Sequence, residues 1–186
     1  MTTTPSQLKT KIDAVMRAEG WDKYTDLPND KGGPTKWGIT EVTARAFGYT
    51  GAMQDLDYDT AYAIYRERFW LAPKFDQIDS RSEYLSNTLF DYGVNSGPSR
   101  PVKALQRALN ALNRRETDYP DIDTDGGLGR ITFACLDSFI KKRGPDGLNY
   151  LTEMVKAQRS VFLLETSERN QTQEDFQNGW QQRVFK

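Results

Sequence analysis

Apolar side chains recur at helical spacing along most of this chain. The first run places four of them on one helix face: Leu8, Ile12, Val15 and Met16. Pro5 precedes this run and Gly20 follows it, and both residue types are typical of helix ends. The same spacing predicts six further helices and a short terminal helix interrupted at Gly179, the six covering 41–47, 59–70, 82–92, 101–113, 131–142 and 147–168.

Two stretches depart from this helical pattern. Asp, Pro, Asn and Gly are frequent between Trp21 and Thr40, which predicts a loop with a short β-hairpin over 33–40. The turn-rich stretch 114–130 is the one candidate boundary between domains. No internal repeat or low-complexity segment occurs. We therefore expect a single, mainly α domain over 1–186 with a small β element after the first helix.

Composition excludes several kinds of catalytic site. The 186-residue chain contains no histidine and one cysteine. Ser-His-Asp and Cys-His nucleophiles, and zinc sites with histidine ligands, are therefore excluded. Any catalysis must depend on carboxylates, hydroxyls and amides. Cys135 lies in the segment Phe-Ala-Cys-Leu, which predicts a small, buried, hydrophobic side chain.

Charge and hydropathy limit the expected partners. The formal net charge of −1 gives no global electrostatic reason to bind nucleic acid or an anionic membrane. No apolar run reaches the ~18–20 residues of a membrane span, and the N-terminus has no apolar stretch of the signal-peptide kind. We expect no membrane insertion, and a chain that stays in the cytoplasm unless another factor releases it.

Glu19 is the first candidate for a catalytic role. It follows Leu8 by eleven positions, so it returns to the face that the first helix buries. Burial disfavours the ionised form of a carboxyl group, which suits a general acid near neutral pH. The alternative is an exposed acid in the last helical turn, where the helix dipole is mildly unfavourable for an anion.

The loop after Glu19 contains the other groups that a carboxylate-based hydrolase would use. Its aspartates are candidates for a second carboxylate, its threonines supply hydroxyls, and its aromatic rings could stack on sugars. Each also has a structural explanation as a loop, turn or strand residue. The candidates are Asp22, Asp26 and Asp30, then Thr35 and Thr40, then Tyr24 and Trp37.

An ordered series of motifs resembles glycoside hydrolase family 108, whose members are lysozyme-like muramidases and many of them phage endolysins. The family commonly has Glu-Gly-Gly where this chain has Glu19-Gly20-Trp21. The similarity extends along nearly the whole chain. Besides Glu19-Gly20, its segments are 29–40 (NDKGGPTKWGIT), 63–70 (AIYRERFW), 90–97 (FDYGVNSG), 104–106 (ALQ) and 176–180 (FQNGW).

The resemblance implies a mainly α, lysozyme-like fold and a phage-type endolysin that uses no metal or other cofactor. Such an enzyme hydrolyses the β-1,4 bond between N-acetylmuramic acid and N-acetylglucosamine in bacterial peptidoglycan. Glu19 would be its proton donor. The helix-Glu, hairpin-Asp, Thr order of phage-type lysozymes would correspond to Glu19, Asp30 and Thr35, with Asp22, Asp26 and Thr40 as competitors. A monomer acting on glycan strands is expected, in the periplasm or cell wall after release from the host cytoplasm.

Two polar residues of a later helix are further candidates. Asp91 and Asn95 are four positions apart and share one helix face. The resemblance makes them groove residues that hydrogen-bond the glycan. The alternative is that they cap and brace the helix that ends near Gly97.

The half of the chain from 99 to 186 carries a second pattern, while 1–98 forms the catalytic half. The segments 105–110 (LQRALN) and 125–132 (DGGLGRIT) are similar to the Leu-Gln…Asp-Gly…Gly…Thr pattern of small peptidoglycan-binding modules. The acidic loop 121–126 also matches part of an EF-hand, but Thr132 stands where the bidentate glutamate is required. A binding module or a structural turn is therefore favoured over calcium.

Two other functions fit the same sequence. A cell-wall-binding module or virion component without catalysis would depend on the second half alone. A lytic transglycosylase would also use a single glutamate, and its anhydro products would distinguish it from a hydrolase.

Overall fold

The computed structural model describes residues 3–26 and 33–186. Its contacts divide the chain into two compact units, the first ending at Asp76 and the second beginning at Gln77. The turn-rich stretch 114–130 lies inside the second unit. The expectation of one domain over 1–186 remains a prediction, and each unit is described by itself.

The first unit combines short helices with a three-stranded antiparallel sheet in the order β1-β2-β3. A 3₁₀ turn, Met53–Asp55, precedes α3, and a π-helical segment, Tyr65–Leu71, continues it. The strands and helices are α1 (Pro5–Ala18), β1 (Tyr24–Thr25), β2 (Thr35–Lys36), β3 (Ile39–Thr40), α2 (Glu41–Phe47), α3 (Tyr58–Ile64) and α4 (Phe75–Asp79), the last of which contains the boundary between the units.

Helix α1 begins and packs as its sequence predicts. Thr4 forms a capping box with Gln7, and Pro5 occupies the first turn. Ile12 and Met16 are fully buried, so the predicted apolar face is confirmed. On the neighbouring face, the Tyr58 hydroxyl at the start of α3 donates to Asp13 over 2.6 Å. This bond fixes α1 against α3.

The second unit is built from helices, together with a 3₁₀ turn at Gln171–Gln173. Gly144 has φ +63° and Pro145 follows it, so α7 consists of two helical segments joined at this kink. The predicted helices 131–142 and 147–168 correspond to these segments. The helices are α5 (Glu83–Ser96), α6 (Ser99–Leu112), α7 (Arg130–Arg169) and α8 (Glu174–Val184).

The mainly α, lysozyme-like prediction is confirmed, and so is the hairpin over 33–40. The predicted break at Gly179 was wrong, because α8 runs through this glycine; a single glycine lowers helix propensity by only ~1 kcal/mol. Cys135 is buried, as predicted. No helix in the described part of the chain combines the length and apolarity that crossing a membrane requires.

Gln106 organises the loop that carries the second sequence pattern. Its side chain is fully buried on α6. Its Nε2 donates to Asp125 Oδ1 over 2.8 Å and to Gly127 O over 3.1 Å, and its Oε1 accepts from the Gly126 amide over 2.9 Å. Thr132 also lies 3.3 Å from Nε2. The Leu-Gln…Asp-Gly…Thr pattern therefore holds this loop against α6.

We predict that Gln106→Leu destabilises the protein by about 2–4 kcal/mol, because it leaves buried loop groups without a partner. Chemical denaturation measures the loss. Gln182→Leu on the exposed surface of α8 is the matched control and should change the free energy of unfolding by less than ~0.5 kcal/mol. Equal stability of the two variants would contradict the role given to Gln106.

Candidate active site

The end of α1 places Glu19. Glu19 is the C-cap residue, and Gly20 follows it with φ +104°. The Trp21 amide donates to Met16 O over 2.9 Å and the Gly20 amide donates to Arg17 O over 3.2 Å, which is the Schellman pattern of helix termination. The Glu-Gly pair therefore ends the helix directly after the carboxylate and turns the chain away from the helix axis.

Trp21 also has a left-handed backbone, with φ +52°. Glycine adopts this conformation freely and tryptophan does not, so Trp21 has this backbone against its intrinsic preference. Here the ring is held by its neighbours. Its centroid lies 5.3 Å from that of Trp37 and 6.1 Å from that of Tyr58, and the Arg17 guanidinium lies 4.2 Å above the ring.

The β2–β3 hairpin approaches Glu19 through its turn. Lys36 pairs with Ile39, so Trp37 and Gly38 form a two-residue turn, with φ +57° and +73°. A Cβ atom on Gly38 would collide with the Cβ of Glu19 and would lie 2.9 Å from the Tyr65 hydroxyl. Glycine is therefore required here both by its backbone and by the closeness of the glutamate.

Two hydrogen bonds fix this turn. The Tyr65 hydroxyl donates to Trp37 O over 2.9 Å, and the Trp37 indole donates to Leu56 O over 2.8 Å. Glu19 is half-buried, and its Oε1 is fully buried. Glu19 thus lies at the edge of the interior, with its methylene groups against a fixed turn. Such a position suits a group that must exchange one proton with a bound substrate.

The other candidates of the first unit differ in their surroundings. Thr35 and Thr40 are cross-strand partners. The Thr35 hydroxyl donates to Gly33 O over 3.1 Å, whereas Thr40 caps α2 by accepting from the Thr43 amide. Tyr24 is half-buried on β1. Trp37 is only 7% exposed, so little of its ring is available for stacking on a sugar.

Two of the three candidate aspartates, Asp22 and Asp26, lie among the described residues, and both are exposed. Asp30 lies outside the described residues. Asp22 is exposed and its carboxylate lies 3.4 Å from the Lys36 ammonium. Asp26 is exposed and accepts a hydrogen bond from the Tyr24 hydroxyl over 3.4 Å. Among residues 3–26 and 33–186, no group of three acidic or cysteine side chains is arranged to hold a metal ion.

Asp91 belongs to an ion-pair network of the second unit. It accepts from Arg159 over 2.6 Å and from Arg183 over 2.6 and 2.9 Å, which joins α5 to α7 and α8. Burial raises the pKa of Asp91, but the two guanidinium groups outweigh it and hold the pKa below its ordinary value. These contacts favour the bracing alternative for Asp91. Asn95 is exposed near the end of α5 and lies next to Ser96, whose hydroxyl donates to it.

Sequence reasoning missed two positioning residues, Gly38 and Tyr65. Gly38 had a usable signal, because an aromatic-Gly pair between two short β segments is typical of a tight hairpin turn. Tyr65 had none, since its apolar spacing on the predicted 59–70 helix indicated only a core position. Its hydroxyl contact depends on the tertiary structure.

We predict that Gly38→Ala lowers both stability and activity. The left-handed backbone disfavours alanine by ~1–2 kcal/mol, and the collision with Glu19 adds ~1–3 kcal/mol of overpacking. Gly48→Ala is the control, because Gly48 also has a positive φ but has open space around it. Wall-lysis assays below both melting temperatures should show a loss of activity in Gly38→Ala alone. Equal activities of the two variants would contradict a role of the Gly38 turn in catalysis.

Comparison with known proteins divides the chain near residue 98, as the sequence patterns do. A family model described as "Glycosyl hydrolase 108" matches residues 12–97, and one described as "Predicted Peptidoglycan domain" matches residues 100–185. No curated protein matches the chain. A solved structure titled "Structure of Brucella abortus SagA" is 26% identical, with a TM-score of 0.71, covering 97% of this chain and 91% of that chain.

These matches support a lysozyme-like function in the hydrolysis of peptidoglycan. The chain therefore contains a glycosyl hydrolase 108 domain over residues 12–97, followed by a peptidoglycan-binding-like domain over residues 100–185.

Proposed function

We propose that this protein is an N-acetylmuramidase of the phage-endolysin type, with Glu19 as the proton donor. It hydrolyses the β-1,4 bond between N-acetylmuramic acid and N-acetylglucosamine. The observation that carries this proposal is the position of Glu19, at the C-cap of α1 with Oε1 buried and its methylene groups against Gly38. No other acidic residue within the described ranges combines a helix end, a buried oxygen and a glycine turn.

In this mechanism the Glu19 carboxyl group gives its proton to the glycosidic oxygen as the bond to the anomeric carbon breaks. Positive charge develops on the sugar ring, and water adds to the anomeric carbon. The water loses its proton to a second group, which later releases this proton to solvent, and Glu19 regains a proton from solvent. Since only side chains take part, the reaction needs no cofactor.

We assign the group that accepts the proton of water to Asp30, and we assign to Thr35 a hydrogen bond that positions this water. In the sequence, Asp30 precedes Lys31-Gly32-Gly33, and the hairpin that bears Thr35 follows. The Thr35 hydroxyl donates to Gly33 O, so its oxygen keeps lone pairs with which to accept a hydrogen bond from water. Asp22 and Asp26 are the competing carboxylates of the same loop.

Substrate contacts are assigned to polar and aromatic groups. In the first unit these are Tyr24 and Thr40. Trp37 is mostly buried and supports the hairpin through the hydrogen bond from its indole to Leu56 O. In the second unit, taken by itself, Asn95 is the exposed candidate for a glycan contact, whereas Asp91 pairs with Arg159 and Arg183 and is assigned the bracing role. The enzyme would act as a monomer on cell-wall glycan after another factor releases it from the host cytoplasm.

We predict that Glu19→Gln lowers the rate of wall hydrolysis by about 10²–10⁴-fold, the usual contribution of general acid catalysis. Glutamine keeps the shape of the side chain, so the melting temperature should change little. Turbidity loss of purified walls measures the rate. Glu41→Gln at the half-buried start of α2, where the carboxylate pairs with Arg45 over 2.8 Å, is the control for loss of a carboxylate and should keep full activity.

The products distinguish the hydrolase from its rivals. Mass spectrometry should show reducing ends on the fragments made by the wild-type enzyme. Anhydro ends would identify a lytic transglycosylase, and binding of walls without any release of fragments would identify a binding module. A folded Glu19→Gln variant with wild-type turnover would refute the role of Glu19.

We also predict that Asp30→Asn lowers turnover by roughly 10²-fold and leaves the melting temperature unchanged. Asp26→Asn is the control for loss of a nearby charge and should stay active. An Asp30→Asn variant that is destabilised but active would make Asp30 a turn residue. The second role would then pass to Asp22, Asp26 or a water molecule held by Thr35.

A further inference from the structure

The second unit contains a groove that the catalytic proposal does not use. A cavity of about 500 Å³ lies between α6 and α7. A neighbouring cavity of about 260 Å³ lies at the junction of α5 and α6. Arg100 and Lys103 line both cavities, so the two form one groove along the first turns of α6.

One wall of this groove is cationic. Arg100, Lys103 and Arg107 follow one another at spacings of three and four, which places them on one face of α6. All three are exposed. The one acidic residue lining the larger cavity is Glu165, which pairs with Arg169 over 3.6 Å. The groove is therefore positive although the whole chain carries a net charge of −1.

The opposite wall is partly apolar and orients one cation. The Arg100 guanidinium lies 4.0 Å from the centroid of the Phe162 ring, which holds it over an aromatic face. Ala157 and Val161 line the same wall. A ligand in the groove would therefore meet charged donors on one side and methyl or ring surface on the other.

Two polar groups at the groove have unused hydrogen-bonding capacity. Gln158 Nε2 donates to Ala104 O over 2.9 Å and to Met154 O over 3.2 Å, which fixes the amide and leaves its buried Oε1 without a partner. Tyr92 lines the cavity and is 2% exposed. Within residues 3–26 and 33–186, its hydroxyl makes no hydrogen bond. Gln158 Oε1 is closed to solvent, so the Tyr92 hydroxyl is the neutral polar group that accompanies the three cations.

We propose that this groove binds the peptide stem of peptidoglycan, with stem carboxylates on Arg100, Lys103 and Arg107 and a stem amide N–H on the Tyr92 hydroxyl oxygen. This inference depends on the proposed function, because that function supplies peptidoglycan as the substrate. Sugar rings are rich in neutral hydroxyls, whereas the stem combines carboxylates, amides and small apolar side chains. The groove offers a complement to each of these groups.

The experiment compares ligands that separate the stem from the glycan. The probes are the isolated stem peptide, the same peptide with its carboxylates amidated, peptide-free glycan oligomers, and inorganic phosphate. Calorimetry measures their binding to the full-length chain and to two double variants. Lys103→Glu/Arg107→Glu reverses the charge of two groove side chains. Arg115→Glu/Lys141→Glu is the control, because it makes the same change of net charge at exposed positions elsewhere.

We expect the stem peptide to bind, and amidation or Lys103→Glu/Arg107→Glu to weaken it by ~10-fold or more through loss of charge-assisted hydrogen bonds. Arg115→Glu/Lys141→Glu should bind normally. Tyr92→Phe should weaken binding several-fold without lowering the melting temperature. The groove variant should still hydrolyse peptide-free glycan at the wild-type rate, so the stem site and the active site can fail independently.

Three results would overturn the proposal. These are stem binding that survives reversal of the groove, binding of glycan or phosphate in place of the stem, and no stem binding at all. A wild-type chain that binds the stem but hydrolyses no glycan would instead contradict the proposed catalytic function and leave the stem site in place.

Discussion

The site of this protein depends on one close approach, between the side chain of Glu19 and the backbone of Gly38. A Cβ atom at position 38 would overlap the glutamate, so the hairpin can reach α1 only through a glycine. Other interactions fix the positions of both Glu19 and the Gly38 turn. The Schellman turn at Gly20 sets the end of α1, and the Tyr65 hydroxyl holds the Trp37 carbonyl. A catalytic carboxyl group gains from this rigidity because proton transfer tolerates little error in distance.

The sequence families and the compact units divide the chain at different places. The glycosyl hydrolase match extends to residue 97 and so includes α5, yet the first compact unit ends at Asp76. Asp91 on α5 explains part of this difference, since it pairs with Arg159 and Arg183 of the region matched by the peptidoglycan domain. Removing one partner from such a network leaves an uncompensated charge, which is strongly destabilising. We therefore expect neither matched region to be stable when cut at residue 98.

The two units carry different chemistry. The first holds a carboxyl group beside a glycine turn, which suits breaking a glycosidic bond. In the second, the residues of the Leu-Gln…Asp-Gly pattern stabilise their own loop. The polar atoms of Gln106 form hydrogen bonds to Asp125, Gly126 and Gly127. The ligand surface that we propose for this unit is instead the cationic face of α6. A net charge of −1 conceals this face, since net charge sums over the chain and binding depends on local charge.

Periodicity along the sequence determined where most helices lie, because burial of one face imposes a 3.6-residue repeat that local composition records. It also determined the hairpin, and it predicted that Glu19 lies near the end of the apolar face of α1, where the structure places it at the C-cap. Asp91 and Gly179 show the limits of this information. Asp91 is the same polar residue in the sequence whether it contacts a sugar or two arginines. Gly179 stays helical because a single glycine costs a helix only ~1 kcal/mol. Only the tertiary structure decided that Gly38 must lack a side chain, that Trp21 is held in a left-handed conformation by aromatic neighbours, and that three cations of α6 line a groove. Each of these depends on distances between segments far apart in the chain, and local sequence patterns carry no such distances.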